Sequence, residues 1–590
     1  MNKALRQQSQ TRDNNRRPAL SPFVLYCVLF SLGALLVLWK CRYGIANIDE
    51  AFYLTVPYRL VQGDALFVEE WHLSQMSGLL LYPFVALYLR IVGSTNGIIL
   101  AFRYLFTVYN IVASIFVFYR LKRYQIIGAA AASLSLLLFA PYGIMALSYN
   151  SMGILCMILT CTILLTGKEK RLQVIIAGVL FAFAVLCNPY LIALYLLALA
   201  LFVVMFLPFR KFRTESFHIF RMRFGKRLLN FTLGSVVVAV IFLVFLLSRA
   251  SLSEILQALP FMFDDPEHPT VSLIDKGISY LYHVIVVNRY TKYCYLGLGL
   301  LIALCIVDKK RMQHKFFYFT GVTVGVSFLL FAIYFRNHTL NYLMWPLNCF
   351  APFILLLSER KETRQIFSFF WVSGILYSFC MHLSSNQNFY AISSASIVAL
   401  IGSLIMIAIF SGEVLATQAT RLQKIGVSAL LSLMLVGLLG TEAHERYVNI
   451  FWDTSIETQT SLIDEGINKG IYVSEGMYQE YYQDLAIVHS IKKAAPDAER
   501  VLFFAYKPQY YLMTDSYVGS YSAWLSLISK ATVDRLTAFY EMNPTLMPDV
   551  IYVDPQYSDC AKLLSESIGC RKTSFDHGML LVRGVDEKLD

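Results

Sequence analysis

Residues 22–50, PFVLYCVLFSLGALLVLWKCRYGIANIDE, decide the fold and frame the function. From Phe23 to Trp39 no residue carries a charge. As a helix, a run of that length crosses a hydrocarbon core of roughly 30 Å. Lys40 and Arg42 follow at once, and then the adjacent carboxylates Asp49 and Glu50. Ionisable groups at the edge of a bilayer are costly to keep and point to use.

The rest of the chain repeats the first element many times over. Of its 590 residues 57% are hydrophobic and only 15% are charged, with a mean hydropathy of +0.56. That composition reads as a polytopic α-helical membrane protein. Runs long enough to cross lie at 22–39, 98–119, 125–146, 151–166, 172–187, 190–208, 229–248, 293–307, 316–335, 342–357, 365–382, 395–411 and 425–440, about 13 transmembrane helices. A further apolar stretch, 79–92, is short and interrupted by Pro83. It reads as re-entrant or interfacial; were it to span, every later loop would change sides.

Basic residues then set the orientation, because Lys and Arg in short loops mark the cytoplasmic face. Assigning alternate loops puts 27 basic residues on the side of the N-terminal tail and nine on the other. The larger set includes Arg120, Lys122 and Arg123, the stretch Arg210 to Arg227, and Lys309-Lys310-Arg311. The expectation is an integral plasma-membrane protein with residues 1–21 as a cytoplasmic tail, a retained signal anchor at 22–39, and Asp49-Glu50 outside. Residues 22–440 form the transmembrane domain and 441–590 an external soluble domain. Charge divides in the same way: residues 1–440 hold 37 basic and 17 acidic side chains, and 441–590 hold 13 and 22. The overall +11 is therefore an orientation signal, and no soluble basic surface suggests a nucleic-acid partner.

After residue 441 the long apolar runs end. Short strand-like segments, Arg500 to Phe504, Asp549 to Val553 and Met579 to Val582, alternate with helix-length polar stretches. This predicts a small α/β layer domain. Nine of the eleven cysteines lie in or beside spans, and only Cys560 and Cys570 fall in this domain. These two are a candidate disulfide that spacing alone does not decide.

The first external loop, 40–97, is too long for a turn. Phe52, Val56 and Leu60 recur at four-residue spacing over 50–62, which predicts an interfacial helix. Asp49-Glu50 at its start has two readings: a catalytic pair, or acidic residues that only stabilise the helix N-terminus.

Taken together, Asp49-Glu50 after span one, Gly63-Asp64, Leu79-Leu80-Leu81-Tyr82 through Arg90-Ile91-Val92-Gly93, Arg103, and the later Arg336-Asn337-His338-Thr339-Leu340-Asn341-Tyr342-Leu343-Met344-Trp345-Pro346 resemble a known family. It is the GT-C class of membrane glycosyltransferases, which use polyprenyl-phosphate sugars. Within it the chain is most similar to protein O-mannosyltransferases and lipid A aminoarabinose transferases. The motifs cover about the first 360 residues; beyond them the likeness is architectural.

The resemblance implies a sugar moved from a polyprenyl-phosphate donor to a glycan, lipid or protein acceptor of the cell envelope or secreted pathway, on the external face and with inversion. It places the general base at Asp49, with Glu50 beside it. The phosphate leaves as an anion and needs cations, for which Arg42, Arg289, Lys292 and Arg336 are the external candidates. Arg103 either binds that phosphate, or snorkels or neutralises Asp49. Where the family often has a second acid in the next external loop, this chain has Asn150, which hydrogen-bonds but cannot act as a base. Trp71 and His72 stand where the family has substrate-contacting polar residues, although a Trp-His pair also anchors an interface. His283, His338 and Tyr342 complete the candidate substrate-binding set; Asn337-His338-Thr339 is also a glycosylation sequon, though close to a span.

A divalent cation is a possible cofactor through Asp264, Asp265, Glu267 and His268, whose oxygens suit a hard ion but whose spacing fits no defined site. Two other functions share this architecture: a transporter or flippase of lipid-linked sugars, and a polysaccharide polymerase or ligase. Transporters characteristically show internal repeats, and none is visible here.

Overall fold

The computed structural model describes residues 21–46, 48–167, 170–207, 215–263, 271–287, 289–337, 340–417, 420–451, 453–573, 575 and 578–583. Helix α1 (Pro22–Lys40) begins at Ser21, whose side chain accepts the Phe23 amide, with Pro22 in the first turn. Serine caps an orphan N–H there, and proline has none to lose. Then come α2 (Asp49–Gln62), α3 (Gly78–Val92), α4 (Ile98–Leu121), α5 (Ile126–Leu138), α6 (Tyr149–Thr166), α7 (Arg171–Cys187), α8 (Ile192–Val204), α9 (Glu215–Leu247), α10 (Leu252–Phe263) and α11 (Leu273–Tyr282). The second half of the bundle holds α12 (Arg289–Val307), α13 (Lys315–Asn337), α14 (Leu340–Phe350), α15 (Lys361–Ile366), α16 (Ser373–Leu383), α17 (Asn388–Ala395), α18 (Ile397–Ala416) and α19 (Arg421–Val448).

Among the described residues ten helical stretches are long and apolar enough to cross a membrane, and the chain is a multi-pass membrane protein. Nine of the thirteen segments read as spans are among them. The other four, near 125–146, 172–187, 190–208 and 342–357, fold as shorter apolar helices of 10–17 residues. Turn chemistry shortens them: Pro141 opens a turn beyond α5, Asn188 caps the turn at Pro189, and a 3₁₀ segment at Ala351–Leu356 follows α14.

The tenth stretch, Gln75–Val92, contains α3, which accommodates Pro83 without ending. Its length and composition suit a span, and both its flanks are bound elsewhere in the chain. Before it, the Trp71 amide donates to Tyr521 O (2.7 Å); after it, Thr95 Oγ1 donates to Leu512 O (2.7 Å) and the Gly97 amide to Gly466 O (2.9 Å). All three acceptors belong to the C-terminal region. Both flanks of the helix are thus fastened to the C-terminal region.

Helix α18 sits at the centre of the bundle and is buried along nearly its whole length, whereas α8 has no buried residue. Close crossings depend on glycine. A Cβ on Gly178 of α7 would lie 2.0 Å from Phe231 O, and one on Gly234 of α9 2.0 Å from Ile175 O. Small residues let membrane helices approach at backbone distance, where dispersion replaces the missing hydrophobic drive.

Helix α19 runs to Val448, two turns past the predicted end of the last span. The C-terminal region follows: β1 (Ser461–Leu462) antiparallel to β2 (Tyr472–Val473), then α20 (Glu475–Ala494), β3 (Arg500–Phe504), α21 (Gln509–Met513), β4 (Tyr517–Val518), α22 (Lys530–Met542), β5 (Val550–Val553), α23 (Ala561–Ile568), β6 (Cys570–Thr573) and β7 (Met579–Arg583). The last five strands form one sheet in the order β4-β3-β5-β7-β6. In it β3 is parallel to β4 and β5, and β7 is antiparallel to β5 and β6. Strand β5 is buried throughout, as a central strand covered on both faces should be. Cys560 and Cys570 are both free thiols.

Candidate active site

The acidic pair at the start of α2 is split by helix geometry. Successive residues point roughly 100° apart, so Asp49 and Glu50 face different surroundings. Glu50 is 3% exposed and fully engaged. Arg103 of α4 donates Nε to Glu50 Oε1 (2.6 Å) and Nη2 to Oε2, which also accepts the Ala46 amide (2.9 Å). Arg103 Nη1 reaches back to Cys41 O (3.0 Å). This bidentate pair fastens the segment between α1 and α2 to α4. It leaves Asp49 on the other side, where its carboxylate lines a cavity of about 1100 Å³.

The cavity is built from distant parts of the chain. Asp49, Phe52 and Tyr53 come from α2, His72 from the loop after it, Tyr142 and Gly143 from the turn after α5, and Tyr149 and Asn150 from α6. Asn188 and Tyr190 come from the α7–α8 turn, Asn386 and Tyr390 from around α17, and Glu445, Arg446 and Asn449 from the end of α19. One flank is apolar, made by Ile192, Ala193 and Leu196 of the exposed α8 and by Leu259 and Met262 of α10. Two non-glycine residues in the wall have left-handed backbones, Phe67 (φ 70°) and Tyr142 (φ 57°). Such conformations cost of order 1–3 kcal/mol and cluster at functional sites.

Its polar groups have defined states. The Tyr53 hydroxyl donates to Asp49 Oδ1 (3.5 Å). Burial, then the nearby Tyr149 and Asp49, hold the Tyr53 phenol well above its ordinary pKa, so it keeps its proton as donor. Burial and Tyr149 do the same to Tyr142. Nδ1 of His72 accepts the Ser74 amide (3.1 Å), which in the neutral ring places the proton on Nε2. Arg446 is 4% exposed and is aimed by two backbone carbonyls, Leu138 O (2.9 Å, from Nε) and Gly143 O (3.3 Å, from Nη1). At the rim, Lys276 Nζ donates to Asn386 Oδ1 (3.2 Å).

Of the residues singled out in the sequence, the cavity gathers Asp49, His72 and Asn150. The others lie elsewhere. Glu50 and Arg103 form the buried clamp. Arg42 is exposed over the Tyr472 ring, and Trp71 is buried against Phe261 and Tyr521. The His283 ring is tilted against that of His382 (5.8 Å), and its Nδ1 lies 2.8 Å from Ser279 O. Lys292 and Arg336 are exposed on α12 and α13, and Tyr342 packs on Phe389. His338, Asp264, Asp265, Glu267 and His268 lie outside the described residues, as does the side chain of Arg289. Among the described residues no group of three or more His, Cys, Asp or Glu gathers as a metal site.

Sequence reading missed Glu445, Arg446 and Asn449. Their signal was present: Thr441-Glu442-Ala443-His444-Glu445-Arg446 continues the last apolar run without a helix breaker. Ionisable groups on such a continuation face the bundle rather than lipid.

No family model matches this chain, and no curated protein does. Among solved structures it is similar to the crystal structure of ArnT from Cupriavidus metallidurans bound to undecaprenyl phosphate. The two share 13% sequence identity with a TM-score of 0.49, over 95% of this chain and 98% of that one.

Proposed function

We propose that this protein is a membrane glycosyltransferase that moves a sugar from a polyprenyl-phosphate donor to an acceptor hydroxyl of a glycan, lipid or protein on the external face. The observation that carries the reading is the composition of one cavity. Two carboxylates, Asp49 and Glu445, a buried guanidinium that donates to backbone carbonyls, and a row of phenols and amides share it with an apolar flank on the exposed α8. Such a space suits a ligand that is half isoprenoid and half sugar phosphate.

The chemistry assigns each group a task. The acceptor O–H gives its proton to Asp49 while its oxygen attacks the anomeric carbon, and the bond from that carbon to the phosphate oxygen breaks with inversion. Tyr53, kept protonated, orients the carboxylate. Arg446 holds the phosphate monoester as it gains charge, since charge-assisted bonds from a pre-aimed guanidinium are strong in a site shielded from water. Glu50 and Arg103 act as positioning residues that fix the first turn of α2. The basic-residue bias supports an external cavity and a cytoplasmic N-terminus.

The test is sugar release or transfer from a synthetic polyprenyl-phosphate hexose by purified protein. Asp49→Asn keeps the shape and the helix start but not the base, and a loss of about 10²–10⁴-fold in kcat with unchanged Tm is expected. Equal turnover by Asp49→Asn would leave Asp49 as a helix-cap residue only.

A further inference from the structure

Two aromatic side chains from the C-terminal region, Tyr506 and Trp524, line the cavity that holds Asp49. Tyr506 lies just beyond β3, and Trp524 stands in the loop between β4 and α22. Their rings meet edge to face at 5.0 Å, and Trp524 lies 4.8 Å from Phe52, three residues after Asp49 on the same face of α2. An aromatic corner therefore stands beside the carboxylate.

The loop that delivers Trp524 is fastened at almost every residue. The Trp71 amide donates to Tyr521 O (2.7 Å), Arg59 Nη2 to Ser520 O (3.3 Å) and the Ala523 amide to Glu70 Oε2 (3.5 Å). The Tyr540 hydroxyl holds Gly519 O, and the Trp524 amide donates to Ser522 Oγ (3.1 Å). Arg535 lies over the rings of both Trp71 (5.4 Å) and Tyr521 (4.7 Å). Trp71 shows what a packing tryptophan looks like here: it is 1% exposed and covered on both faces. Trp524, held as firmly, is only half-buried and turns toward the cavity.

We infer that Trp524, with Tyr506 and Phe52, is a wall that recognises a pyranose ring, so that the C-terminal region completes the substrate site. This rests on the glycosyl-transfer reading above. A rigid aromatic face matches the apolar C–H face of a sugar, while the amides and phenols opposite serve its hydroxyls. The ring is either the donor's sugar or a terminal sugar of the acceptor, and the chemistry of the wall is the same for both.

The experiment compares full-length wild type, Trp524→Leu, which keeps apolar bulk, and Trp524→Phe, which keeps an aromatic face. The probes are bare undecaprenyl phosphate, undecaprenyl-phosphate hexose and a methyl hexoside as acceptor. Bare carrier should bind all three proteins alike. Trp524→Leu should bind the glycosylated carrier about tenfold more weakly if the ring is the donor's. If the ring is the acceptor's, its KM for methyl hexoside should rise about tenfold with donor binding unchanged. Trp524→Phe should recover most of either loss. Identical behaviour of wild type and Trp524→Leu with all three probes overturns the inference and leaves the glycosyl-transfer reading standing. So does loss of bare-carrier binding in Trp524→Leu, which would mark a packing residue. A wild type that binds neither carrier overturns both.

Discussion

Arg59 and Arg446 are both buried, at 1% and 4% exposure, near the C-terminal ends of α2 and α19, yet their surroundings are opposite. Arg59 donates Nε to Asp64 (2.6 Å), Nη1 to Glu70 (2.8 Å) and Nη2 to Glu69 O (2.6 Å). Burial alone would lower its pKa, but Asp64, Glu70 and Glu69 together carry it above the ordinary value. Arg446 donates to the carbonyls of Leu138 and Gly143, and Glu442 and Glu445 act on its charge without forming a hydrogen-bonded ion pair with it. A buried guanidinium with two acids holds architecture together. One held by carbonyls is, under the proposed function, the charge that meets the donor phosphate.

The largest effect should come from breaking the paired centre. Arg59→Met leaves Asp64 and Glu70 buried without a cation, a loss of about 3–5 kcal/mol. It should appear as a large fall in Tm and as early proteolysis of the C-terminal region, whose loop hangs on Arg59 through Ser520 O. A variant as stable as wild type would break the comparison from this side. Arg446→Gln should do the reverse, changing Tm little while weakening polyprenyl phosphate about 10–100-fold, the scale of one charge-assisted hydrogen bond. Arg446→Lys keeps the charge without the fork and should fall between. If Arg446→Gln lowers Tm as far as Arg59→Met and leaves carrier affinity intact, the two arginines are alike and the anion site is lost.

The contrast also shows what sequence could and could not reveal. Apolar run length exposed the bundle, because burial in lipid demands it, and the alternating strands after residue 500 exposed the sheet. Asp49, which lines the cavity, drew notice in the sequence because it stands in the loop just after the first span. That its neighbour Glu50 is consumed by Arg103 was not legible, since helix phase and a contact 53 residues away decide it. Arg446 and Glu445 were hidden by an early end assigned to the last helix: charges were read as the start of a soluble region, but α19 continues to Val448. Tyr142 and Tyr390 carry no local signal, because only the packing around α5 and α17 brings them to one cavity.

The smallest expected effect concerns Glu69, beside the paired centre. Its carboxylate accepts the Ala65 amide, but burial, reinforced by Asp64, holds its pKa above the ordinary value against the pull of that bond and of Arg59. The folded state therefore prefers the protonated form more than the unfolded chain does. Glu69's contribution to stability is full below the unfolded value of about 4.3 and is lost as pH rises through the folded value. Glu69→Gln, which cannot ionise, should remove that part of the pH dependence. The variant should match wild type in acid and exceed it slightly near neutrality. Thermal unfolding of both proteins from pH 4 to pH 8 checks this. Parallel curves would mean that the Arg59 centre already neutralises Glu69 and is more completely paired than Asp64 and Glu70 alone make it, which would widen its distance from Arg446.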